Sequence, residues 1–241
     1  QELKRAKKMK GVDFVRFFDD DFLFNIKWLK KFIPQYKKEI DLPYSAIVNP
    51  QSVTEETIGV IEGSNCVQLN IGFQSACPHI RKKILNRHEK NEDAARAIRL
   101  TKKAGIRSIM DNILGVPKTT EDDYDMIFNF FYNNTPTRIF MPYLQYFPRT
   151  EIVEIAKEQG LLNEEKIYEL ENNPYSKTLI SKDKSIHNEE IEKFQTVMVM
   201  LHFSRKLAKF LYESGIYKKL PNISGQLLNS LCYLKASKNY E

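Results

Sequence analysis

From residue 12 to residue 160 the chain runs repeatedly from a short apolar stretch into a longer amphipathic one, and this strand-then-helix order limits the fold more than any other feature. Strands are expected at 12–18, 44–48, 66–71, 107–114 and 138–146. Helices are expected at 1–10, 25–40, 54–62, 80–85, 92–104, 122–132 and 151–159. The run at 12–18 is continuously apolar, which suits a strand buried on both faces of a parallel sheet. Alternating strands and helices imply parallel strands with right-handed crossovers, leaving an open doubly wound sheet or a barrel. A complete eight-unit barrel takes roughly 250 residues, and five strands are spent by Tyr146, so a barrel here is partial.

Local signals mark the helix ends. Ser52 and Glu55 have capping-box spacing, and Thr120 precedes Glu121, Asp122 and Asp123, acidic residues that favour a helix N-terminus. Gly105 and Gly160 stand where helices stop. From 186 onward one long helix is expected. Ile191, Phe194, Met198, Leu201 and Arg205 lie on one line and Met200, Phe203, Leu207 and Phe210 on another, implying burial against more than one partner. Gly215 would cap it, and 221–241 would add one short helix or fray. The chain opens inside a charged helix with no strand before it, so upstream sequence is expected to precede Gln1.

Composition enters where it excludes classes. Hydrophobic residues make up 42% and charged residues 28%, an ordinary globular balance rather than a disordered one. The longest apolar stretch, 196–203, is far short of a membrane span, and QELKRAKKMK lacks the apolar middle of a signal peptide. Cytoplasmic residence, without membrane contact, is the expectation. Cys66, Cys77 and Cys232 form no C-x-x-C pair and no disulfide framework, which fits a reduced compartment. The formal charge of +6 raises the prior for nucleic-acid contact only modestly, and KRAKKMK reads better as a solvated helix face than as a phosphate patch.

In parallel β/α folds the loops leaving strand C-termini build the site. Those ends carry Asp19 and Asp20; Asn49 and Gln51; Gln74 and Ser75; Asp111, Asn112, Gly115 and Pro117; Gln145, Arg149 and Thr150. Single residues of this kind make turns and caps. Five strand ends bearing hydrogen-bonding groups fit a polar ligand such as a nucleotide or nucleoside derivative. Along a strand Asp19 and Asp21 would point to one side and Asp20 to the other, so a metal held by all three is the weaker reading. No P-loop, G-x-G-x-x-G, G-x-S-x-G or H-E-x-x-H pattern is present.

The succession FFDDDF at 17–22, IGFQS at 71–75, ILNR at 84–87, KKAGI at 102–106, DNILGVP at 111–117 and YFPRTEI at 146–152 resembles radical S-adenosylmethionine (SAM) enzymes, in particular the subgroup with an N-terminal cobalamin-binding domain. The resemblance covers 1–162 and implies an α/β fold: a partial TIM-type (β/α)6 barrel lacking its first strand, followed by a C-terminal helical extension, 163–241. It implies SAM as cofactor, cleaved reductively with a four-iron four-sulfur cluster, and a reductant such as flavodoxin or ferredoxin. The family's C-x-x-x-C-x-x-C loop is absent from this sequence, so the resemblance makes the chain the C-terminal portion of a longer enzyme, with the cluster ligands and any cobalamin domain upstream and the isolated chain inactive.

Carried over by position, the resemblance assigns to SAM the residues Asp19, Asp20, Asn49, Gln74, Ser75, Ile113, Gly115 and Pro117, with Asn49 toward the ribose and Ile113 to Pro117 bordering the adenine. Lys118 and Arg149 depart from it, standing where the family has glycine, and their side chains restrict φ > 0 at those turns. Cys77 stands where serine is common. A cobalamin-dependent methyltransferase is the reaction favoured. The alternatives are a tRNA-modifying radical SAM enzyme of methylthiotransferase or elongator-like type, and a non-enzymatic nucleic-acid-binding module built on KRAKKMK.

Overall fold

The computed structural model describes residues 1–172 and 189–219. After a short α1 (Glu2–Lys7) come β1 (Val15–Phe17), α2 (Ile26–Glu39), β2 (Tyr44–Val48), α3 (Glu55–Ile61), β3 (Cys66–Gln74), α4 (Asn91–Lys103), β4 (Arg107–Asn112), α5 (Glu121–Asn133) and β5 (Arg138–Phe140). The strands form one sheet in sequence order, with β1 parallel to β2 and β2 parallel to β3. Each crossover carries a helix, the α/β architecture of a partial TIM-type barrel. Then follow α6 (Glu151–Glu158), α7 (Glu164–Asn172), α8 (Glu189–Met200) and α9 (Arg205–Glu213).

The chain divides into two compact units. The first comprises Gln1–Phe73, Glu89–Asp111 and Pro136–Arg138, and so holds almost the whole sheet. One sheet face is dry: Leu69, Ile71 and Phe73 of β3 and Met110 of β4 are fully buried, as are Leu29 of α2 and Ala94 and Ala97 of α4. The other face is half-exposed and polar, because Gln68 and Asn70 alternate with those apolar residues at the strand period of two. Register aligns Arg16, Ser45 and Gln68 in one row across three strands and Ile47 with Asn70 in the next. Gln68 Nε2 donates to Asn70 Oδ1 at 2.8 Å. Arg96 ties α4 to the turn after β2, donating to the carbonyls of Val53 (3.1 Å) and Gln51 (3.4 Å).

The second unit takes Gln74–His88, Asn112–Thr135 and the residues from Ile139 onward. Leu144, Tyr146, Val153, Ala156, Leu162 and Leu170 form one of its clusters. Phe128 stacks on Tyr212 at 4.0 Å and Tyr124 meets Phe194 edge-on at 4.8 Å, packing α5 against α8 and α9.

Several sequence-based boundaries are corrected. β1 is three residues long and lies at the sheet edge, so Arg16 is exposed and Val15 and Phe17 are only half-buried, rather than buried on both faces. β5 ends at Phe140 because Pro142 lacks an N–H donor, and pairing resumes only as a parallel bridge between Leu114 and Tyr143. The cap of α3 is Thr54, not Ser52: the Thr54 N–H donates to Thr57 Oγ1 (2.9 Å) and the Thr57 N–H to Thr54 Oγ1 (3.2 Å). The long helix expected from 186 is two helices, because Ser204 is extended at φ −152° and its Oγ accepts from the Leu207 N–H at 3.3 Å. Ile191, Phe194 and Met198 are buried as expected, whereas Leu207 and Phe210 are exposed. The helix expected within 221–241, together with Cys232, lies outside the described residues.

Candidate functional site: the strand C-termini

In the first unit β1 stops at Phe17, and the three aspartates occupy the turn that follows. Strand alternation therefore does not orient them. Phe17 and Phe22, on either side of the triplet, stack at 4.6 Å, and the Phe22 N–H donates to the Ile47 carbonyl at 3.0 Å. Within this closed turn Asp21 is structural, accepting from the Leu23 N–H at 3.3 Å and from the Ser52 hydroxyl. Asp19 and Asp20 are exposed and engage no hydrogen bond or ion pair among the described residues. Asn49, one residue past β2, accepts from the Gln51 N–H at 2.9 Å through Oδ1, leaving its Nδ2 as a donor. These three side chains leave charge and hydrogen-bonding capacity uncommitted at strand ends.

In the second unit Gln74 closes β3 with φ +70°, a left-handed backbone that L residues adopt at a cost of about 1 kcal/mol. Its carbonyl accepts from the Ile113 N–H at 2.7 Å, while its half-buried side-chain amide has no partner among the described residues. Strain of this kind, held by the surrounding structure, is characteristic of ligand sites. Ser75 is fully buried, and its Oγ accepts from the Cys77 N–H at 3.1 Å. The Ser75 carbonyl accepts from Arg81, a guanidinium only 1% exposed on a π-helical turn, Ile80–Ile84. Asn112 is wholly buried, and its Oδ1 has no partner among the described residues. By alternation it shares the face of Ser108 and Met110, away from the half-exposed Ile109 and Asp111.

The turns that lack the family's glycines keep a left-handed backbone: Lys118 has φ +65° and Arg149 φ +63°, beside Gly115 at φ +69°. The Lys118 N–H donates to Gln159 Oε1 at 2.9 Å, which helps hold that conformation. Pro117 is buried and Ile113 and Gly115 are half-buried.

Reading from sequence missed the polar sheet face and Arg81. Gln68 and Asn70 carry the period-two signal inside a run taken as simply apolar. Arg81 has no such signal, since KK follows it and the stretch reads as a solvated helix.

The described cysteines do not suit a cluster. Cys66 and Cys77 are buried, and burial first of all pushes both thiols up to about 12, opposing the thiolate that ligates iron. Among the described residues no group of three or more His, Cys, Asp or Glu side chains is placed to hold a metal. The strand-end groups, by contrast, have the chemistry of a polar ligand site: in the first unit Asp19 and Asp20 can accept from ammonium or hydroxyl donors and Asn49 Nδ2 can donate, and in the second unit the Gln74 amide can do both.

Residues 1–131, more than half of the chain, match the family model of the radical SAM superfamily. The chain belongs to that superfamily. Among solved structures it is similar to TsrM of Kitasatospora setae, a radical SAM methyltransferase determined with cobalamin and a [4Fe-4S] cluster bound. The TM-score is 0.55 at 20% identity, covering 65% of this chain and 30% of TsrM. It is also similar to HemN of Escherichia coli, a coproporphyrinogen III oxidase and radical SAM enzyme, with a TM-score of 0.55 at 12% identity, covering 81% of this chain and 50% of HemN. Identities this low establish fold alone, and the chain spans half or less of these proteins. No curated protein matches the sequence.

Proposed function

We propose that the chain is the SAM-binding part of a cytoplasmic radical SAM enzyme that transfers a methyl group with the help of cobalamin. Residues 1–162 form the barrel portion and 163–241 an extension that shapes substrate access. The observation that carries this reading is the set of uncommitted polar groups at strand ends within a chain of this superfamily: Asp19, Asp20, Asn49 and the strained Gln74. Asp19 and Asp20 would receive the ammonium or ribose, Asn49 the ribose, and Gln74 the polar edge of the cofactor. Ser75 contributes by fixing the turn behind Gln74, and Ile113, Gly115 and Pro117 border the adenine. The family's chemistry is reductive cleavage of SAM, with electrons from a flavodoxin- or ferredoxin-like protein. The described cysteines do not fit the cluster, which we assign to cysteines N-terminal to Gln1. No helix among the described residues is long and apolar enough to cross a membrane.

The test is anaerobic iron–sulfur reconstitution of the full-length protein followed by assay for 5′-deoxyadenosine and, with cobalamin added, for methyl transfer. Loss of SAM binding on replacing Asp19 and Asp20 supports the site. A reconstituted full-length protein that neither assembles a cluster nor cleaves SAM sinks the reading.

A further inference from the structure

A cavity of about 950 Å³ lies within the second unit, walled by the loop after β4, one face of α5, the start of α8, the end of α9 and the 3₁₀ turn Ile216–Lys219. Its volume falls at the upper end of small-molecule sites. The wall is chemically one-sided. Among the described residues five carboxylates line it, from Glu121, Asp122, Asp125, Glu190 and Glu213, against the two ammoniums of Lys118 and Lys218. Between them runs an aromatic lining of Tyr124, Phe128, Phe194, Tyr212 and Tyr217, in which Tyr212 stacks on Phe128 at 4.0 Å and on Tyr217 at 5.3 Å.

We propose that this cavity binds an organic cation, a primary ammonium carried on an apolar chain. Anionic ligands meet a net excess of carboxylates. A neutral ligand would leave that excess unmatched on the wall. An alkylammonium relieves it: the three donors of the head match carboxylates, while the stem packs on the rings, whose faces also attract the charge.

The carboxylates are not equally available. Asp125 accepts from the Tyr212 hydroxyl at 2.6 Å, Glu121 pairs with Lys218 at 3.2 Å, and Glu213 pairs with Lys209 at 3.6 Å. Asp122 has no partner among the described residues, which makes it the leading anchor for the head group. Burial first of all raises the Tyr217 hydroxyl, which Lys218 lowers in turn and Glu190, Glu121 and Asp125 raise further.

The test is calorimetric titration of the chain with spermidine and, separately, with N-acetyl-lysine amide, using N-acetyl-norleucine amide as the neutral isostere. Both cations are expected to bind and the isostere to stay silent. The tighter of the two cations distinguishes a free polyamine from a lysine-bearing peptide as the source. Asp122→Asn combined with Glu190→Gln should weaken cation binding about tenfold or more. Both side chains are exposed, so circular dichroism should be unchanged. Tyr124→Leu, which removes a ring and leaves every carboxylate, should weaken it independently. The proposal is overturned if neither cation binds, if the isostere binds equally, or if the double variant binds as the parent does. The probes and variants avoid the residues assigned to SAM, so the outcome is independent of that assignment.

Discussion

Asp21 holds a backbone N–H and a serine hydroxyl, whereas Asp19 and Asp20 have no partner among the described residues, and substitution separates them. Asp21→Ala leaves two donors without their acceptor and should cost about 1–3 kcal/mol in chemical denaturation. Asp19→Asn with Asp20→Asn should leave stability within about 0.5 kcal/mol while weakening SAM binding in equilibrium dialysis. Equal loss of stability from both changes would refute the division. Gln74→Gly keeps the left-handed backbone and removes the amide, so SAM affinity should fall about fivefold to tenfold while the melting temperature holds or rises. The prominence of the aspartates was legible in the sequence. The role of Asp21 was not, because its partner Ser52 is 31 residues away and no local pattern reports such a contact.

At the scale of elements, helices were legible nearly to the residue where a cap and a periodic face agree: α2 begins after Asn25, whose side chain accepts from the Trp28 N–H at 3.1 Å. Legibility failed where a single residue overrides a period. Ser204 divides one expected helix into two, and Pro142 cuts a nine-residue run down to a three-residue strand. The turn between β4 and α5 shows a converse case, since Lys118 holds a conformation that glycine would adopt without steric cost. Lys118→Gly should therefore stabilise the protein by about 0.5–1 kcal/mol, the relief of strain outweighing the added chain entropy. A lower melting temperature for this variant would mean that the Lys118 side chain makes a stabilising contact of its own.

For the whole molecule, the buried thiols and phenols set the response to alkali. Cys66, Cys77, Tyr36 and Tyr124 are all pushed up to about 12, principally by burial. A proton held more tightly in the folded state stabilises it fully below the unfolded pKa and less as pH rises through the folded one. Stability should thus be level up to about pH 9 and fall steadily toward pH 12. Urea midpoints across that range check this, and a flat profile would contradict it. Iodoacetamide should label neither Cys66 nor Cys77 at neutral pH until the chain unfolds.

The β1 edge has a consequence for handling the molecule. Phe14, Phe18 and Phe24 are 44%, 69% and 82% exposed around a strand whose outer backbone groups have no neighbouring strand among the described residues. Such an edge is a template for another copy. Apparent mass in sedimentation should therefore climb with concentration, and Phe18→Lys should return the chain to a single species. The usable working concentration would then be governed by a few rings around one short strand.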